Sequence, residues 1–89
     1  MAFVRYEDLP PEVIVAGGLL SAYDFYRGAG FSREKIKELL AEKAKRDIKT
    51  VGEMRKTKVN PHEVARLLRE YASIWLYVAE KLEEEEEEK

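Results

Sequence analysis

The chain has 89 residues, no cysteine and a formal net charge of −2 at pH 7. This length fits one domain with a thin core, and the absence of cysteine excludes disulfides and thiolate metal sites. The charge is uneven, because residues 1–30 carry −2, residues 31–60 carry +5 and residues 61–89 carry −5. Such polarity suits nucleic acid at the middle third or head-to-tail contact between copies, although a helical surface with both signs interspersed explains it as well.

The composition also indicates the kind of organism that the protein comes from and the cellular compartment in which it is found. Charged residues make up 38% of the chain, and glutamine is absent, which is typical of thermophile proteins. The N-terminus has no basic segment followed by an apolar run, and the longest uncharged stretch, residues 13–23, is too short to span a bilayer. We therefore predict a cytoplasmic protein without a membrane partner.

The first predicted element is a helix that follows an entry turn in "EDLPPEVIVAGGLLSAYDFYRGAG". Pro10 and Pro11 fit its first turn, where a missing N–H costs nothing. Gly17 and Gly18 each weaken a helix by about 1 kcal/mol relative to alanine, which close packing of another helix backbone would explain. The alternative is a short extended segment near the N-terminus, with residues 13–17 as a strand paired to "AFVRY".

A second helix is predicted to begin after the capping residue Ser32. Its apolar stripe stops being apolar near Ala44, so we expect the helix to end there or to run out into solvent. Thr50 and Glu53 then match a capping box, in which each side chain accepts a hydrogen bond from the other residue's backbone. This pattern predicts a separate, short third helix over residues 51–57.

The strongest predicted element is a long C-terminal helix, with Asn60 as its N-cap and Pro61 as its first residue. Apolar residues recur along it in alternating steps of four and three, which is the spacing of a coiled-coil seam. The seam consists of Val64, Leu68, Tyr71, Trp75, Val78 and Leu82. The helix is about as long as a compact domain of this size is wide, so a second copy or a partner helix is expected to cover part of the seam.

Together these elements predict an all-α fold, a small bundle of three to four helices. Residues 1–82 form the single predicted domain, and residues 83–89 form an acidic tail that frays or is disordered. His62 is the only histidine, and it has no second histidine or cysteine with which to bind a metal. No serine or threonine has a histidine at a catalytic spacing, so we predict no enzyme activity, no metal and no cofactor.

One stretch resembles the helix-turn-helix of bacterial and archaeal regulators, namely "TVGEMRKTKVNPHEVARLLREY" at residues 50–71. In that motif, a short capped helix is followed by a tight turn with a buried valine and then by a second helix that begins near Asn-Pro. The resemblance implies that lysines in the turn meet phosphates and that the second helix faces the major groove. The implied contact residues are Lys56, Lys58, His62, Arg66 and Arg69.

From the sequence we therefore expect one of two functions. The first is a non-catalytic helical interaction module, which forms a homodimer or binds a partner helix through the seam, with Trp75 as its central anchor. The alternative is a helix-turn-helix-like nucleic-acid-binding protein that uses residues 43–69.

Overall fold

The computed structural model describes residues 5–87, apart from the side chain of Tyr6. A short 3-10 turn, Tyr6–Asp8, precedes three α-helices: α1 is Pro11–Gly28, α2 is Arg33–Arg55 and α3 is Pro61–Glu87. No strand occurs within residues 5–87, so the predicted all-α class is confirmed for this part of the chain.

Helix α1 begins where the two prolines predict it. The backbone N–H groups of Val13 and Ile14 donate to the carbonyl of Pro10, at 3.0 and 3.3 Å. Residues 13–17 are helical throughout, so the alternative of a strand there is wrong, because Val15, Ala16 and Leu19 bury one face at helical spacing. Most of the strand's expected partner, residues 1–4, lies outside the described residues.

The two glycines of α1 are not explained by packing within the chain. A Cβ atom added at Gly17 would meet nothing within 4 Å, and one added at Gly18 would meet only the Nζ of Lys43, at 3.9 Å. The close approach of another helix backbone, which the sequence suggested, is therefore not found within the described part of the chain. The surface beside these glycines is open.

Helix α2 is one continuous helix of 23 residues. The hydroxyl of Ser32 accepts from the N–H of Lys35 at 3.1 Å, which confirms the predicted cap. The expected end near residue 44 is wrong, and so is the separate helix over residues 51–57. Ile48 and Val51 continue the apolar contacts of Ala44 with the core, so packing carries the helix through the point at which the local sequence could have started a new one.

The actual end of α2 is a left-handed residue, Lys56, with φ 52° and ψ 44°. Its N–H donates to the carbonyl of Glu53 at 3.3 Å, and the N–H of Thr57 donates to the carbonyl of Gly52 at 3.0 Å. This is the Schellman arrangement, which usually has glycine at the left-handed position. The chain turns back so tightly that a Cβ atom at Gly52 would lie 2.9 Å from the carbonyl oxygen of Thr57.

Helix α3 starts at Pro61, as predicted. The side-chain oxygen of Asn60 accepts from the N–H of His62 at 2.9 Å, and the N–H of Asn60 donates to the carboxylate of Glu12 at 3.0 Å. Val59 is buried immediately before this cap. The start of α3 is therefore fixed to α1 by one hydrogen bond and one buried side chain.

The core lies around α1, which packs against both α2 and α3. Its buried cluster consists of Val15, Ala16, Leu19, Val59 and Val64, and half-buried residues of α2 and α3 surround it. The last residue of α3 in contact with this cluster is Tyr71. Every described residue of α3 after Tyr71 is exposed.

The molecule is therefore more extended than a compact domain with the same number of residues. Its radius of gyration is 15.8 Å and its longest dimension is 53 Å, whereas a compact domain of this length has a radius of gyration of about 12 Å. We call residues 5–71 the body and residues 72–87 the projecting segment. Residues 83–87 belong to α3, residues 88–89 lie outside the described residues, and the fraying of this acidic end stays a prediction.

Candidate functional site

The projecting segment carries large apolar side chains that nothing in the described chain covers. Five of them are consecutive in sequence, and a sixth follows one turn later. They are Ile74, Trp75, Leu76, Tyr77, Val78 and Leu82, and their exposed fractions lie between 39% and 62%. Since most of a helix surface facing water is polar in a stable fold, a contiguous exposed apolar cluster of this kind is unusual on a monomeric protein.

The structure divides the predicted seam into two halves. Val64 is buried in the core at 3% exposure, and Leu68 and Tyr71 pack against that core. Trp75 and Leu82 are each 62% exposed, and Val78 is 39% exposed. The first half of the seam is therefore covered by the chain's own body, and the second half is exposed to solvent.

The exposed half of the seam is a straight stripe. At about 100° per residue, Tyr71, Trp75, Val78 and Leu82 fall within an arc of about 60° on the surface of α3. We call Trp75, Val78 and Leu82 the stripe. Tyr71 continues the stripe toward the body, so the covered and uncovered halves form one line.

Apolar residues also occur on the other sides of the projecting segment. Tyr77 lies well away from the stripe, and the Nζ of Lys81 sits 5.5 Å from the centre of its ring. This cation–π contact gives Tyr77 a partner within its own helix. Tyr77 could not be identified from the sequence, because a lone tyrosine between seam positions does not show whether it faces a partner.

An open apolar depression, the trough, reaches α3 at Tyr71, the last residue of the body. Its floor comes from α1 and from Leu9, two residues before α1, and Tyr71 forms its wall. The lining residues are Leu9, Val13, Ile14, Gly17, Gly18, Ser21 and Tyr71. The open space beside Gly17 belongs to this trough. Because Gly17 and Gly18 have no side chains, nothing projects from these two positions into the trough.

Charge is split between the body and the projecting segment. Residues 5–71 contain 14 basic and 11 acidic side chains, whereas residues 72–87 contain one basic and six acidic side chains. The body therefore carries +3 and the projecting segment −5. Two basic side chains lie near lining residues of the trough, and both have partners. The Nζ of Lys43 lies 3.9 Å from a Cβ position at Gly18 and is paired with Asp47, and the guanidinium of Arg55 donates to the carbonyl of Leu9 at 3.3 Å.

The residues implied by the helix-turn-helix resemblance are all exposed, but the helices that carry them are not arranged as the resemblance implies. Lys56, Lys58 and His62 are exposed on the turn and on the first turn of α3, and Arg69 is exposed further along α3. The helix before the turn is the 23-residue α2 rather than a short capped one. Both helices pack mainly on α1, so this part of the expected motif is corrected.

Arg66 is occupied by carboxylates of its own helix. Its guanidinium donates to Glu63, with one contact at 3.0 Å, and to Glu70 at 3.0 Å. The hydrogen bond from Arg66 holds the pKa of the Glu63 carboxyl below its usual value, and the same bond raises the pKa of Arg66. A phosphate approaching this side chain would have to displace two carboxylates.

Within residues 5–87, no three His, Asp or Glu side chains are grouped so that they could hold a metal ion. Every buried side chain in the same range is apolar. None of the helices described combines the length and apolar character needed to cross a membrane.

No family profile, curated protein or solved structure matches this chain. The features of the molecule that bear on its function are therefore the projecting segment, the trough and the distribution of charge.

Proposed function

We propose that this protein is a helical interaction module that self-associates through the stripe of Trp75, Val78 and Leu82 on α3. The observation that supports this most directly is that the stripe continues a seam whose first half is already packed, whereas its second half lies in water. Burying a large apolar side chain contributes about 1.5–3 kcal/mol, so covering the stripe on two chains would provide a substantial driving force.

Packing against a partner would stabilise the projecting segment as a helix. All 16 residues of this segment are exposed, and in proteins most of the stability of a helix comes from packing of its apolar face rather than from intrinsic propensity. Its last turn is acidic and contains no basic residue, which opposes the helix dipole. Packing of the stripe against another helix would stabilise a segment that its own sequence disfavours.

A second copy of the chain is the occupant that the charges favour. A partner for the projecting segment, which carries −5, should be basic near the contact, and the body of another copy carries +3. Each chain therefore offers both sides of a complementary contact. This property extends the head-to-tail contact that the charge pattern of the sequence suggested.

Light scattering coupled to size exclusion tests the proposal. We expect the purified chain to give about twice its mass of 10.3 kDa, and we expect Trp75→Ala to shift the equilibrium strongly toward the monomer. Tyr77→Ala is the matched control, because Tyr77 is as exposed as Trp75, at 60% and 62%, but lies off the stripe. A monomeric parent whose Trp75→Ala variant merely melts earlier would refute self-association.

A further inference from the structure

We infer that two copies pair their projecting segments in antiparallel orientation, with Trp75 of each chain opposite the partner's Val78. The acidic end of each segment then lies at the trough of the other copy. This inference rests on the proposed self-association and specifies its geometry. Three independent features of the chain support it: the order of side-chain sizes along the seam, the position of the charges and the open trough.

The first feature is the order of side-chain sizes. In an antiparallel pair the two seam positions of a heptad face each other, which sets Trp75 opposite the partner's Val78 and Tyr71 opposite the partner's Leu82. Each layer then combines an aromatic ring with an aliphatic side chain. In a parallel pair, Trp75 would face the partner's Trp75 and Val78 the partner's Val78, which crowds one layer and leaves the other underfilled.

The second feature is the acidic end. In a parallel pair, the glutamates at residues 83–87 of both chains would lie side by side at a helix separation of about 8–10 Å. That separation is no larger than the Debye length of about 8 Å to 10 Å at ordinary salt, so the two ends would repel. In an antiparallel pair, each acidic end lies away from the other acidic end and beside the partner's body, which carries a net charge of +3.

The third feature is the trough itself. Tyr71 belongs both to the seam and to the wall of the trough, so a partner helix that brings its Leu82 to Tyr71 arrives directly above the floor formed by α1. Apart from its neighbours within α1, no described atom lies within 4 Å of a Cβ position at Gly17, so the described chain leaves the surface there uncovered. In a parallel pair the projecting ends would point away from both troughs.

Disulfide crosslinking tests the orientation, because the chain has no cysteine of its own. Tyr71→Cys and Leu82→Cys are prepared as separate proteins, one of them carrying a mass tag, and are mixed in equal amounts under mild oxidation. We expect the mixed disulfide to exceed either self-linked product by about tenfold or more. Efficient self-linking of each variant, with little mixed product, would establish parallel pairing and overturn the inference.

A second variant avoids any change to the half-buried Tyr71. Glu84 is exposed, so a spin label on Glu84→Cys leaves the body untouched. In the antiparallel register the two labelled positions are about 22 Å apart along the helix axis, whereas parallel pairing holds them about 10 Å apart across the pair. Distances that cluster near the shorter value would contradict the antiparallel arrangement even if the crosslinking variants fail to fold.

The outcomes separate this inference from the proposed function. A monomer in light scattering would overturn both. A dimer with a short label distance would overturn only the orientation. A dimer with a long label distance but no mixed disulfide, when both cysteine variants are folded, would overturn the pairing of Tyr71 with the partner's Leu82.

Discussion

Trp75 is the residue at which the environment of the α3 seam changes. One turn earlier, Tyr71 packs against the core, whereas Trp75 is 62% exposed. Trp75 is also the only tryptophan of the chain. A large aromatic side chain at the edge of a packed region, in line with residues already buried, is the kind of anchor that helical interfaces use.

Lys56 has a backbone conformation that is energetically unfavourable for any residue with a Cβ atom. Its left-handed conformation, with φ 52°, disfavours a side chain by about 1 kcal/mol or more relative to glycine. We expect Lys56→Gly to raise the free energy of unfolding by about 0.5–1 kcal/mol, in a chemical denaturation experiment monitored by circular dichroism. A loss of stability would show that the lysine side chain contributes an interaction larger than the backbone cost.

Gly52 is required by the same turn. An added Cβ would lie 2.9 Å from the backbone oxygen of Thr57, and backbone cannot move aside as a flexible side chain can. We therefore expect Gly52→Ala to destabilise the fold by about 1–2 kcal/mol, even though alanine is the better helix former. Thermal and denaturant unfolding measure the effect.

The matched control for Gly52→Ala is Gly17→Ala. No atom lies within 4 Å of that added Cβ, so the gain in helix propensity should stabilise the body by up to about 1 kcal/mol. Both substitutions are measured in the Trp75→Ala background, which we expect to be monomeric. Equal effects of the two alanines would contradict the account of the turn.

At the scale of elements, the ends of the helices follow from local sequence but their continuity does not. Ser32 and Asn60 cap α2 and α3 as predicted, because a cap depends on residues within one turn. Thr50 and Glu53 satisfy an equally local rule, yet α2 runs through them. The contacts of Ile48 and Val51 with the core decide this case, and those contacts depend on where α1 lies.

The same reasoning applies to the seam. Its residues could be identified from their spacing alone, since periodicity shows which side of a helix is apolar. The division between Tyr71 and Trp75 could not be predicted, because it depends on where α3 crosses α1. The trough was equally hidden, since its residues come from the 3-10 turn's exit, α1 and α3, which are far apart in sequence.

Thr50→Ala tests the continuity of α2. Thr50 is exposed within the helix, where alanine is the better helix former by a few tenths of a kcal/mol. We therefore expect a small gain in stability. If Thr50 instead capped a separate helix, the same change would cost about 1 kcal/mol, so the sign of the change in unfolding free energy distinguishes the two arrangements.

At the scale of the whole molecule, the body and the projecting segment differ both in shape and in net charge. The body holds the buried core, and the longest dimension of the molecule, which includes the projecting segment, is 53 Å. The body carries a net positive charge and the projecting segment a net negative charge. A chain built in this way is complementary to itself only when the projecting segment of one copy meets the body of another.

Substitutions at Ser21 test where the acidic end lies. Ser21 is an exposed residue that lines the trough, so changing it should leave the body folded. We expect Ser21→Glu to weaken the dimer by several-fold more than Ser21→Lys, because glutamate would repel the partner's acidic end and lysine would attract it. Sedimentation equilibrium of the two variants gives the dissociation constants, and equal values would place the acidic end elsewhere.

The fluorescence of Trp75 over a dilution series tests the central claim most directly, because the chain has no other tryptophan. If a second copy covers the stripe, raising the protein concentration should shift the emission to shorter wavelength and reduce quenching by acrylamide, along a curve that follows the dimer fraction. Emission and quenching that remain those of an exposed indole, from nanomolar to millimolar protein, would contradict self-association through this surface.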